Sequence, residues 1–241
     1  EMSARCLLIE DGDKLILVDT GLGDKQSEKF FSHYSRSGDA SLVGSLNSAG
    51  FSPNDITDVL FTHLHFDHCG GGIKKKGNGI LETTFKNATY WSHKGHWEWA
   101  MKPNVREKAS FLKENILPIQ ESGQLNFISG NPIQQVGFDV LKMDGHTEKQ
   151  MLPKIFYQGK TIIFMADLLP TTGHIPVPYV MGYDTRPLLT IKEKEDFLNE
   201  AADNEYFLFL EHDAYSEICT VQHTNKGVRL KETHKFKDIF N

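Results

Sequence analysis

The run Thr62-His63-Leu64-His65-Phe66-Asp67-His68-Cys69-Gly70-Gly71 constrains this chain more than any other stretch. It follows the short apolar segment Asp58-Val59-Leu60-Phe61, which reads as a buried strand with His63 at its end. His63 and His65 lie two positions apart, so an extended backbone points both to the same side. Asp67 and His68 come just afterwards, where a turn can redirect them. Such a density of metal-competent groups is far more than a core needs. Imidazole and carboxylate are suitable ligands for zinc and for other borderline divalent metals. The glycines that follow let the backbone bend tightly around such a site.

Three later positions extend the set. His146 lies in Asp144-Gly145-His146-Thr147, directly after an expected strand. Asp167 ends the apolar run Ile162-Ile163-Phe164-Met165-Ala166, where burying an unpaired carboxylate would be costly. A metal would remove that cost. His212 ends Phe207-Leu208-Phe209-Leu210. Each alone reads equally well as a structural residue; together with the first cluster they complete a coordination list.

The rest of the chain supplies a layered α/β frame for them. Arg5–Glu10 and Lys14–Asp19, separated by Asp11-Gly12-Asp13, predict a β-hairpin. Two helices are expected next, one from near Asp24 and one from an Asp39 cap to Gly50. Ala88–Trp91 predicts a strand, with Ser92 capping a helix that carries His93, His96, Trp97 and Trp99. A helix is expected over 104–115, ending before Pro118. Strands are expected at 125–128, 138–143, 152–157 and 160–166, the last two joined at Gln158-Gly159. Thr190-Ile191-Lys192-Glu193 has the form of a capping box opening a helix to Asn204, before a core strand over 206–210. Interleaved strands and helices indicate an α/β protein whose chemistry sits where strands end. No linker, repeat or low-complexity tract divides the 241 residues, so a single domain spanning 1–241 is expected. The chain opens at Glu1 rather than Met, which suggests a missing N-terminal segment.

The chain resembles a metallo-β-lactamase-fold hydrolase, whose signature is His-x-His-x-Asp-His followed by a distant His, Asp and His. The Asp19-Thr20-Gly21 turn after the first hairpin matches as well, so the resemblance runs from about Arg5 to His212. It implies a four-layer αββα sandwich with the site at one edge between two sheets. It further implies two divalent metal ions, zinc first, with Mn²⁺, Fe²⁺ or Co²⁺ as alternatives. By the same resemblance His63, His65 and His146 would hold one ion. Asp67, His68 and His212 would hold the other, and Asp167 would bridge them. Asp67 and Asp167 are then the expected catalytic residues, Asp67 by assisting proton transfer.

The Leu-His-Phe-Asp-His-x-Gly-Gly form is similar to the branch containing acyl-homoserine lactone lactonases and methyl parathion hydrolase. Two positions depart from that branch. Thr147-Glu148-Lys149-Gln150 stands where a Thr-Pro-Gly turn is usual, and Pro170 stands where lactonases carry a tyrosine three places after the bridging aspartate. Tyr183 and Tyr179 are candidates to supply the absent hydroxyl, or else packing residues. His174 is a candidate for the pocket rim.

The implied activity is hydrolysis of a small ester or lactone by a hydroxide shared between two metals, whose parent water has a pKa of about 7. Phosphotriester or phosphodiester hydrolysis, then a glyoxalase II-like thiolesterase, are the enzymatic alternatives; a non-enzymatic metal-binding module is the last. A nuclease would want a basic face, and a net charge of -6 does not provide one, so no nucleic-acid partner is expected. Lys74-Lys75-Lys76 reads as a solvated loop. No apolar run approaches the roughly 20 residues of a membrane span. Three cysteines without Cys-x-x-Cys spacing favour a reducing, cytoplasmic setting. Trp97 and Trp99 could wall a pocket for a small-molecule substrate or form a homodimer surface. Glu211 could orient a ligand or face solvent.

Overall fold

The computed structural model describes residues 1–240. Two compact units are present, one of residues 6–128 and one of residues 1–5 together with the chain from Ser129 onward. Each carries its own sheet.

The first unit begins with the expected hairpin, β1 (Leu7–Asp11) and β2 (Lys14–Val18), closed by Gly12 at φ 59°. Helices α1 (Glu28–Ser32) and α2 (Leu42–Ser48) follow, capped by the side chains of Ser27 and Ser41. They start later than Asp24 and Asp39 would place them, because these serines accept the orphan amides of Phe30 and Gly44. Next come β3 (Asp58–Leu60), α3 (Phe66–Cys69), the small pair β4 (Ile73–Lys75) and β5 (Leu81–Thr83), and β6 (Thr89–His93). Helices α4 (Lys94–Met101) and α5 (Lys113–Glu121) and strand β7 (Leu125–Ile128) complete the unit. The sheet order is β1-β2-β3-β6-β7, antiparallel only at β1–β2. Ile16, Leu17, Val59 and Leu60 are all essentially inaccessible, as expected of parallel strands covered on both faces. β2 runs directly into Asp19, and β3 leads through Phe61 to Thr62.

The helix expected over 104–115 is not formed. Asn104 instead caps a turn, its Oδ1 accepting from the amides of Arg106 and Glu107 at 2.8 and 3.1 Å, and the helix opens only at Lys113. Side-chain capping of this kind competes with helix initiation. Pro118 lies inside α5 and does not end it, the helix closing with Ser122 N–H on the Pro118 carbonyl. Ser92 is likewise not the cap of α4; His93 Nδ1 accepts from Gly95 N–H at 3.1 Å.

The second unit contains α6 (Pro132–Val136), β8 (Asp139–Met143), β9 (Gln150–Tyr157), β10 (Lys160–Phe164), α7 (Pro187–Asp203), β11 (Phe207–Phe209), β12 (Ile218–Thr224), β13 (Gly227–His234) and α8 (Phe236–Ile239). Its sheet order is β13-β12-β11-β10-β9-β8, with only β10–β11 parallel. Helix α7 buries Thr190, Lys194, Phe197, Leu198 and Ala201, a stripe at helical spacing that packs on Leu152, Ile163 and Leu208. It opens at Pro187, before the expected capping box. Glu193 does not reach back to Thr190; its carboxylate accepts from Asp144 and Gly145 N–H at 2.7 and 2.9 Å. Residues Ser3 and Arg5 pair with the backbone of Glu211 and His212. Among the described residues no helix is long and apolar enough to cross a membrane.

Candidate metal centre

In the first unit the donors stand just beyond the carboxyl ends of β2 and β3. Asp19, held at φ 55°, turns its carboxylate under the Thr62–His68 run. Its Oδ1 accepts from Thr62 N–H at 2.8 Å, and its Oδ2 accepts from the Thr62 hydroxyl at 2.6 Å and meets His68 Nδ1 at 3.0 Å. With its proton committed to Asp19, the Thr62 hydroxyl oxygen accepts from His63 Nδ1 at 3.0 Å. The Nδ1 atoms of His63 and His68 are thereby engaged by protein groups. This is the arrangement that fixes imidazole tautomers in metal sites.

His65 is turned the other way. Its Nδ1 faces His63 Nε2 at 3.1 Å, while its Nε2 lies 3.4 Å from Glu107 Oε1. If both outer nitrogens carry protons, two lone pairs face one another across 3.1 Å. Only a shared proton or a cation makes that separation favourable. Two nitrogens on one tetrahedral zinc stand ~3.3 Å apart, given Zn–N bonds of about 2.0–2.1 Å. The pair therefore fits a metal. Asp67, on α3, brings Oδ2 to 3.9 Å from His68 Nε2 and keeps 27% of its side-chain surface accessible. The other donors here are almost fully buried.

The two glycines after the motif are required by proximity rather than by bending. Gly70 has ordinary helical dihedrals, but a Cβ there would stand 2.1 Å from the Leu22 carbonyl oxygen, and one on Gly71 2.2 Å from that of Thr20. The Asp19-Thr20-Gly21 turn is thus pressed against the motif. Cys69 is fully buried, its thiol donating to the Leu64 carbonyl and pushed up to about 12 by burial, so it is a packing residue. His96 is a core residue accepting from Leu64 N–H at 2.8 Å.

In the second unit Asp167 follows β10 after Ala166, whose φ of 41° swings the carboxylate out of the strand direction. Its Oδ2 meets His146 Nε2 at 3.0 Å and its Oδ1 meets His212 Nε2 at 3.0 Å. One carboxylate thus offers a separate oxygen to each of two imidazoles. The far sides of both rings are held: His146 Nδ1 by Asp184 Oδ1 at 2.8 Å, His212 Nδ1 by the Ser3 carbonyl at 2.8 Å. Burial disfavours the charged form of His146, but the carboxylates of Asp167 and Asp184 outweigh it and lift its pKa to about 9.

The segment after Asp167 carries the expected substrate residues. Lys194, buried in the α7 stripe, donates to the carbonyls of His174, Pro176 and Tyr179 and fixes their course. The Asp213 carboxylate accepts from both the amide and the hydroxyl of Thr172 at 2.9 Å. His174 Nδ1 is paired with the Thr171 hydroxyl at 2.8 Å. Burial first, then Lys194, holds the imidazole below its usual pKa and hence neutral. The Tyr183 ring stands edge-on to His146 at 6.0 Å, half exposed. Tyr179 is exposed and joins through its backbone only.

Sequence reasoning named seven candidate donors but missed the groups that contact them, namely Asp19, Thr62, Glu107 and Asp184. Asp19 and Asp184 carried a signal, an acidic residue just past a strand and one beside Tyr183. Glu107 carried none. Glu211 is fully buried rather than solvent-facing. Lys74 and Lys76 pair with Glu82 at the surface.

Residues 2–212 match the Metallo-beta-lactamase superfamily, and the chain belongs to it. Its fold is the metallo-β-lactamase fold. Among solved structures it is similar to a probable metal-dependent hydrolase from Staphylococcus aureus, with TM-score 0.83 and 25% identity over 97% of this chain and 84% of that one. A dizinc quorum-quenching lactonase, AidC, in complex with a product, shares the fold with TM-score 0.78 at 24% identity, over 98% of this chain and 81% of that one. Among curated proteins, an N-acyl homoserine lactonase from a Bacillus species is 30% identical over 154 residues, 59% of this chain and 54% of its own length. The chain thus spans about half the length of the lactonases it matches. A probable metallo-hydrolase of Mycobacterium tuberculosis is 24% identical over 204 residues, 76% of this chain and 63% of its own.

Proposed function

We propose that the chain holds two divalent metal ions, zinc foremost, and hydrolyses a small ester or lactone. The observation that carries this reading is the Asp167 carboxylate, with one oxygen 3.0 Å from His146 Nε2 and the other 3.0 Å from His212 Nε2. That is the form of a ligand shared between two cations. When bound, the metal pair would supply a Lewis acid for the substrate oxygen and a hydroxide nucleophile at neutral pH.

The chain's own residues would do the remainder. His63, His65 and His146 would hold one ion, and Asp67, His68 and His212 the other. Asp67, the most accessible of the donors, would accept the proton released on attack at Oδ2 and return it to the departing oxygen. Pro170 is buried where lactonases place a tyrosine. Tyr183, beside His146, is then the hydroxyl best placed to meet a substrate carbonyl, and neutral His174 the group for the rim. The lactonases among its relatives support an ester or lactone substrate.

The test is to strip the protein with a chelator and restore Zn²⁺, Mn²⁺ or Co²⁺ against lactones, aryl esters, phosphotriesters and nitrocefin. Two metal equivalents and recovered lactone or ester hydrolysis are expected. Recovery confined to phosphotriesters would overturn the substrate class, and failure to bind metal would overturn the whole reading.

A further inference from the structure

Four of the five donor histidines are held at Nδ1 and present Nε2; His65 alone presents Nδ1, with Nε2 turned toward Glu107. We propose that the buried Glu107 carboxylate is the positioning residue that imposes this inverted orientation on His65 and strengthens its hold on a metal ion. The inference rests on the two-metal reading and adds to it a residue outside the signature motif.

Glu107 is 2% exposed, and its two oxygens are divided between two tasks. Oε2 accepts from Trp99 Nε1 at 2.6 Å and from Asn104 Nδ2 at 2.7 Å, which locks the side chain. Oε1 faces His65 Nε2 at 3.4 Å, an ion-pair distance at which no hydrogen bond is formed. A carboxylate at an imidazole N–H fixes the ring orientation and makes the opposite nitrogen a better ligand.

The chain around Glu107 is built for this contact. Asn104 Oδ1 caps the turn from below, Ser110 N–H bonds the Glu107 carbonyl at 2.8 Å, and the Ser110 carbonyl accepts from Phe66 N–H at 2.9 Å. Phe111 then packs on the His65 ring with centroids 4.8 Å apart. The segment 104–111 thus grips the motif at the Phe66 backbone, at the His65 ring face and at the His65 Nε2 edge.

Zn²⁺ affinity of the chelator-stripped protein, read by competition with a chromogenic chelator, tests the proposal without using activity. Glu107→Gln keeps shape and removes charge; it should weaken the tighter-held or the weaker-held ion by roughly 10–100-fold, as loss of such partners does elsewhere. The Co²⁺-loaded variant should show a shifted visible spectrum. Metal-free melting of both proteins shows whether the variant is folded. Should Glu107→Gln not fold, Trp99→Phe, which removes one anchor from Oε2, should lower affinity several-fold. A folded variant with wild-type affinity at both ions and an unchanged Co²⁺ spectrum overturns the role of Glu107. Wild-type protein that binds no metal overturns the underlying reading instead, so the two failures are distinct.

Discussion

His212 donates its Nδ1 proton to the carbonyl of Ser3 at 2.8 Å, across 209 positions of sequence. A carbonyl can only accept, so this bond fixes the ring's tautomer and turns its Nε2 toward Asp167. The N-terminal segment is held in place to do so. The Ser3 amide bonds the His212 carbonyl at 3.1 Å, the Ser3 hydroxyl bonds the Glu211 carbonyl at 2.6 Å, and the Arg5 amide bonds the Glu211 carbonyl at 3.0 Å.

Deleting residues 1–4 should therefore act at the proposed metal ligand His212. The His212 ring would lose its acceptor and its orientation. Affinity for one metal ion should fall by roughly 10-fold or more, while the other ion is retained. Metal quantitation after dialysis of the shortened and full chains checks this. Equal retention of both ions would show that the Ser3 carbonyl is replaceable by water.

The glycines of the motif give a second prediction with its own control. A Cβ on Gly70 or Gly71 would fall 2.1 or 2.2 Å from a backbone oxygen, and backbone cannot rotate aside as a side chain can. Gly70→Ala and Gly71→Ala should each cost about 2 kcal/mol or more, in the range of severe overpacking. Gly77, with nothing within 4 Å of an added Cβ, should tolerate alanine at near-neutral stability. Urea unfolding of the three metal-free variants measures the contrast. A Gly70→Ala protein as stable as Gly77→Ala would mean that the Leu22 turn is free to withdraw.

How much of this could be read beforehand depended on the range of the interaction. The hairpin of β1 and β2, the strand ends at His63, Asp167 and His212, and the Gln158-Gly159 turn follow from local periodicity and turn chemistry. All were legible. The candidate donors stood out because imidazole and carboxylate at strand ends have few structural uses. Their orienting partners were not, because Glu107 is 42 positions from His65 and Asp184 is 38 from His146, and neither spacing repeats a pattern. Asn104 misled as a helix start because its side chain caps a turn equally well. The Thr190–Glu193 spacing misled for a related reason: Glu193 found the amides of Asp144 and Gly145 instead. The long β12–β13 hairpin was overlooked although Thr224-Asn225-Lys226-Gly227 marks its turn, and Gly227 takes φ 85° there.

Asp213 should make stability depend on pH in a defined direction. Burial raises its pKa, but bonds from the amides of Thr172, Ser216 and Tyr215 and from the Thr172 hydroxyl outweigh this and hold it below the usual carboxylate value. A depressed folded-state pKa contributes stability that is present above the unfolded value, near 3.9, and lost as pH falls through the folded one. Asp213→Asn should thus destabilise the metal-free protein by about 1–3 kcal/mol at pH 7. The gap between wild type and variant should narrow below about pH 4. Paired urea titrations at pH 7 and pH 3 decide it. A gap that is constant with pH would place the loss in shape rather than in charge.

Metal uptake itself should be linked to a proton at His146. In the metal-free protein that imidazole holds its proton to about pH 9, clamped between Asp167 and Asp184. A cation needs the neutral ring, so it must displace the proton from Nε2 before binding there. Affinity at this ion should rise about 10-fold per pH unit from 7 toward 9 and flatten above, where no proton remains to be expelled. Titrating Zn²⁺ into weakly buffered protein should release protons at pH 7 and fewer at pH 9.5. Asp184→Asn removes one of the two charges holding the proton and should move the flattening to lower pH. It should also weaken the metal at high pH, because the ring loses the partner that orients it. Proton release independent of pH across this range would mean that His146 is already neutral before the metal arrives, and that Asp167 faces it through a hydrogen bond of the opposite polarity.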